Sequence, residues 1–266
     1  MFSSVKKNDV VLFVFLVYAL TWVFWIPALV TKAGGGNSIF APDQFLGQVG
    51  RWSPGIVAIL LTLVIEGGQG VKKLLQPLWI WRVNIGWYAA ALLLQPVIFL
   101  AARLLDILLG SSYQIESPLG SLTAPLVFVI PVLIVSSFPG SFAEELGWRG
   151  YALPRLQGKH RALIASINLA IFWGVWHIPS MVYFGQNQVW DIVFAVINFI
   201  PMTIIYTWLY NNTKSSLLLV TLLHVGQQLF NNFVGTIPTA SDEVMTWLIA
   251  ILLLVMFGMG LKRSGD

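Results

Sequence analysis

The chain has 266 residues, 57% of them hydrophobic and only 10% charged, with a mean hydropathy of +0.79. A soluble domain carries about 25% charged residues, so these side chains cannot cover a water-facing surface, and the chain reads as a polytopic membrane protein. Its fifteen Lys and Arg residues give a net charge of +4 but are scattered between apolar runs, which argues against a nucleic-acid partner. Cysteine is absent, which excludes disulfides, thiol catalysis and Cys-ligated metals.

A helical span needs ~20 apolar residues. That length predicts eight spans, near residues 10–30, 52–66, 86–105, 123–145, 162–184, 189–210, 215–234 and 244–261. The second is short, and the stretch from Gln44 to Arg51 is expected to add a turn. The runs are apolar on every face rather than alternating, so the expected fold is an all-α membrane bundle forming one domain over 1–266, with a catalytic core at about 123–235. The first run, behind Lys6 and Lys7, is too long for a signal peptide and reads as an uncleaved anchor.

Placing both termini on one side gathers Lys6, Lys7, Lys72, Lys73, Arg82, Arg149, Arg155, Lys159, Arg161, Lys214, Lys262 and Arg263 there, and leaves Lys32, Arg51 and Arg103 opposite. By the positive-inside rule both termini are expected in the cytoplasm, of a prokaryotic plasma membrane. Glu66 and Asp106 are expected to be solvated run ends. Many of the twelve tryptophans, such as Trp22, Trp25, Trp79, Trp81 and Trp190, are expected to form an interfacial belt.

Polar residues inside spans are costly, which makes them the informative positions. At the end of the fourth run stand Glu144, Glu145 and Arg149. On a helix, Glu145 and Arg149 are four apart and can pair, while Glu144 points ~100° away. A solvated charged helix end is the plainer alternative. His177 lies in the fifth run behind Trp173 and before Pro179, and a bond to a neighbouring carbonyl would explain it structurally. The seventh run carries His224, Gln227, Gln228, Asn231 and Asn232. There His224, Gln228 and Asn231 or Asn232 share a stripe that serves either as interhelical glue or as part of a site. Together the three clusters suggest one internal, water-accessible pocket. The place of Glu144 near the end of its run predicts an opening to the cytoplasm.

These residues resemble the CAAX prenyl protease type II and bacteriocin-processing family of intramembrane proteases, also called Abi or CPBP. Glu144, Glu145 and Arg149 match its first motif, two glutamates and an arginine four after the second. Trp173 and His177 match its second, an aromatic residue four before a histidine. His224 and Gln228 match its third, where Asn or Asp is usual; Gln228 keeps an amide on a longer arm, and Asn231 is the alternative.

The resemblance implies an endopeptidase acting on a peptide or a prenylated or lipidated substrate in the bilayer. In that role Glu144 is expected to act as general base toward a water, since desolvation raises a carboxylate's affinity for protons. His177 would orient that water, His224 and Gln228 would stabilise the oxyanion, and Glu145 paired with Arg149 would support the helix. A second scheme uses the same residues with zinc, held by Glu144, Glu145, His177 and His224. Two further readings remain open at this level, a non-catalytic immunity or scaffold protein and, with less support, a proton-coupled transporter.

Overall fold

The structure is a computed structural model that describes residues 9–111, 126–234 and 240–260, with the side chains of 126–133 and 230–234 left aside. The described residues are mostly helical, joined by short turns, and contain no strand. Helix α1 is Asp9–Ala33, α2 Phe45–Leu75, α3 Ile85–Leu108, α4 Leu126–Glu145, α5 Leu153–Gln157, α6 Ala162–Trp176, α7 Ile178–Tyr183, α8 Val189–Asn212, α9 Leu217–Val234 and α10 Ala240–Phe257. A wide-turned π-helical segment, Leu146–Ala152, joins α4 to α5. Five of these elements are long and apolar enough to cross a bilayer: α1, α2 with its continuation to Trp79, α3, α8 and α10. The all-α membrane bundle expected from composition is therefore observed.

Local chemistry sets several boundaries. Asp9 stands in the first turn of α1, accepting from Val10 N at 2.9 Å, and Lys32 stands in its last turn, so each charge complements the helix dipole. Asn84 caps α3 by accepting from Gly86 N at 2.8 Å. The short second run is completed as expected, because α2 starts at Phe45 and takes in Arg51. The fourth does not end at 145. Its helix runs on through the π segment to Gln157, so Glu144 lies inside a long helical stretch and not at its terminus.

The chain forms two compact units. Unit 1 comprises Met1–Pro77 and Phe142–Thr203, and unit 2 comprises Leu78–Ser141 and Ile204–Asp266.

In unit 1, α1 packs along α2, with Trp25 donating from its indole nitrogen to the Gly47 carbonyl at 2.9 Å. Trp25 is thus a packing residue, unlike Trp79, Trp81 and Trp190, which are exposed as a belt requires. At one end of the unit Arg155 donates to Asp9 at 2.8 Å and to Glu66 at 2.7 Å while stacking on Tyr151. This ties α1, α2 and α5 together and gives Glu66 an ion-pair partner. Helix α2 approaches the π segment as closely as backbones allow. A Cβ on Gly55 would stand 2.9 Å from the Ala143 carbonyl oxygen, and one on Gly147 would stand 2.4 Å from Pro54 Cβ.

In unit 2, α3 packs against α9 and α10. Arg103 and Asp106, expected at a run end, are instead buried: Arg103 pairs with Asp106 at 3.1 Å and with Asp242 on α10, and Ser241 donates to Asp106. The reason is geometric. Asp106 is one turn from Arg103, and α10 delivers Ser241 and Asp242 from its first turn, so the guanidinium is neutralised within the protein.

Candidate active site

The charged cluster of the first motif is buried. Arg149 donates to Glu145 Oε1 at 2.9 Å with both side chains fully shielded, the i,i+4 pairing expected from spacing. Glu144, 2% exposed, faces a different way, also as expected. Its Oε1 accepts from Arg51 Nε at 2.9 Å and its Oε2 from the indole nitrogen of Trp173 at 3.1 Å. Arg51 is therefore no marker of a membrane face. It is a partner of Glu144, carried there by the close packing of α2 on the π segment. The π turn begins immediately after Glu145 and includes Arg149; such widened turns recur at functional sites.

The depth of this layer follows from helix rise. At 1.5 Å per residue, Arg51 stands ~22 Å along α2 from Glu66, and Glu144 stands ~16 Å from Arg155. Both distances start from the same Arg155 cluster, so Glu144 and Arg51 stand several helical turns away from it. The expectation that Glu144 sits at a helix end is corrected accordingly.

Trp173 is the hinge of the arrangement. Its indole nitrogen donates to Glu144, its ring lies 4.2 Å beneath the Arg149 guanidinium, and its carbonyl accepts from His177 Nδ1 at 2.9 Å. A carbonyl can only accept, so Nδ1 carries a hydrogen, and in the neutral ring the lone pair would then lie on Nε2. The His177 ring is boxed by Trp176 and Phe199, with centroids 4.5 and 4.9 Å away. His177 occupies the joint between α6 and α7, because Pro179 starts the new helix and the His177 carbonyl accepts from Met181 N at 2.9 Å and Ser180 Oγ at 2.8 Å. The carbonyl that Pro179 leaves without its i−4 donor is that of Val175, and it accepts from the His177 backbone N–H, while the His177 ring bonds the Trp173 carbonyl. Behind the ring, Trp176 donates to Thr21 Oγ1 at 2.6 Å, and Thr21 donates to the Gly50 carbonyl at 2.9 Å and contacts Ser53.

His224 and Gln228 belong to unit 2, one helical turn apart on α9. His224 is 6% exposed and meets the edge of Tyr206, whose hydroxyl donates to Gln227 Oε1 at 2.6 Å. The side chain of Asn231, the alternative amide, lies outside the described residues. A zinc site is not supported, because no three carboxylate or imidazole side chains group together among the described residues. The physical reason is visible at Glu144 and Glu145: as helix neighbours they point apart, and each is turned onto its own guanidinium.

Arg51, Thr21 and Ser53 were not marked as site residues by their sequence context. For Arg51 a signal existed, since a 52–66 span is only ~22 Å long and must be extended through position 51 to cross.

A buried carboxylate and a histidine are joined across one tryptophan in an apolar helical protein, the side-chain types that water-activating hydrolysis uses. The comparisons agree with that chemistry. Residues 125–230 match the family described as type II CAAX prenyl endopeptidase Rce1-like, a stretch that contains all three motifs. The chain is also 29% identical over 233 residues to CAAX prenyl protease 2 of Methanococcus maripaludis, covering 84% of each chain. The chain is thus similar to Rce1-like proteases across its motif-bearing stretch, which supports a protease that acts in a membrane.

Proposed function

We propose that the protein hydrolyses a peptide bond near the C-terminus of a peptide or prenylated substrate held in the bilayer, as the name of its methanococcal relative suggests. Glu144 takes a proton from a water whose oxygen adds to the scissile carbonyl carbon, and it returns that proton to the leaving amine as the carbon–nitrogen bond breaks. His177 orients the water through Nε2. His224, assisted by the Gln228 amide, stabilises the oxyanion, a role that rests on the third sequence motif. Glu145 and Arg149 hold the helix around Glu144 without touching substrate. The observation that supports this reading most is the bridge through Trp173, which fixes Glu144 and His177 by opposite ends of one residue.

The test is cleavage of a fluorogenic prenylated peptide by purified protein. Glu144→Gln and His177→Ala are each expected to lower kcat by ~10²–10⁴-fold, the usual worth of acid–base groups, and the wild type is expected to keep its rate after chelation. Wild-type turnover by Glu144→Gln removes the mechanism, and loss of activity on chelation reinstates a metal.

The same proposal places both termini in the cytoplasm. It is supported by the Arg155 cluster, which brings the start of α1 and the end of α5 to the part of α2 that leads to Lys72 and Lys73. Because the chain lacks cysteine, single cysteines near Lys73 and Lys159 report sidedness directly, and both are expected to react only from the cytoplasmic face.

A further inference from the structure

Arg51 lies outside the matched stretch 125–230 and outside every motif, yet it makes the most direct charged contact with Glu144. Its Nε is committed to Glu144 Oε1 at 2.9 Å, its side chain is 25% exposed, and its two terminal nitrogens meet no partner among the described residues. The other pair of the site differs on each count: Glu145 and Arg149 are fully shielded, and Arg149 also stacks on Trp173. One pair is closed into the protein, whereas the other is exposed on its Arg51 side.

A base that works inside a span needs its charge matched and its oxygens aimed. Arg149 pairs with Glu145, and Arg51 pairs with Glu144 from α2. With Trp173 on the other oxygen, the carboxylate is held at both ends. We infer that Arg51 is a positioning residue for the hydrolysis, orienting and charge-matching Glu144 from α2. The inference rests on the reading of Glu144 as the base.

The experiment uses the full chain in detergent or bilayer with the fluorogenic prenylated peptide, on the fraction that elutes as folded protein. Loss of a hydrogen bond between charged groups is worth about 1.5–3 kcal/mol, so Arg51→Ala is expected to lower kcat by roughly 10- to 150-fold with KM nearly unchanged. Arg51→Lys keeps the charge and is expected to recover part of that loss. Added guanidinium ion is expected to raise kcat of Arg51→Ala above the value with the same concentration of sodium chloride. A merely structural arginine moves none of these: an unchanged kcat in Arg51→Ala, a loss confined to KM, or no recovery with Lys and guanidinium overturns the inference. If Arg51→Ala does not fold, the comparison of Arg51→Lys with wild type decides, and full wild-type kcat with KM raised instead overturns it. The two readings separate cleanly. Turnover by Glu144→Gln refutes Glu144 as base, whereas an inactive Glu144→Gln beside fully active Arg51 variants refutes the positioning role alone.

Discussion

The protein buries charge in two places, and the two are built differently. In unit 1, two carboxylates meet two guanidiniums, Glu145 with Arg149 and Glu144 with Arg51, and one of the pairs is left partly open. In unit 2, two carboxylates share one guanidinium, Asp106 and Asp242 around Arg103, with Ser241 adding a hydroxyl. The first cluster adjoins a histidine across Trp173; the second joins two helices end to end. Buried charge by itself is thus a poor marker of catalysis in a membrane protein. What distinguishes the catalytic candidate is a buried carboxylate held by an arginine and by the same tryptophan that bonds a histidine.

The sharpest way to break this contrast is at Arg103. Arg103→Met leaves Asp106 and Asp242 facing each other, and removal of one partner from a buried pair costs about 3–5 kcal/mol. The expected result is a strongly lowered Tm in detergent with kcat of the folded fraction close to wild type. A kcat loss as large as that of Glu144→Gln, without loss of Tm, would make unit 2's cluster catalytic and erase the distinction. A smaller effect is expected at Trp173. Trp173→Phe keeps a ring for Arg149 and the carbonyl for His177 but removes the indole N–H from Glu144. That bond to a charged acceptor is worth about 1.5–3 kcal/mol, so kcat is expected to fall roughly 10- to 150-fold with Tm little changed. Full activity would show that Arg51 alone suffices to hold the carboxylate.

Much of this was legible in the sequence. The i,i+4 spacing gave the Glu145–Arg149 pair, and the helix angle between neighbours turned Glu144 away from it. Four-residue spacing likewise placed Trp173 and His177 within one turn, although the bond between them runs through the Trp173 carbonyl and could not be read from side-chain identity. The fourth span, drawn by apolar length to 145, continues as helix because polar Arg149 is buried in the protein. It does so through the π turn packed on Pro54.

Composition and local periodicity determined, without further help, that the chain is an all-helical membrane protein, because 10% charge cannot face water and a 3.6-residue period fixes which neighbours share a face. The motif spacings likewise carried the resemblance that the match over residues 125–230 supports. Only the tertiary structure decided which arginines are structural or catalytic neighbours. Arg51 meets Glu144 across 93 residues and Arg103 meets Asp242 across 139, distances no local pattern spans. By position each reads as a loop charge awaiting water. The helices supply a carboxylate instead, and in a low-dielectric interior that partner is what allows the charge to remain.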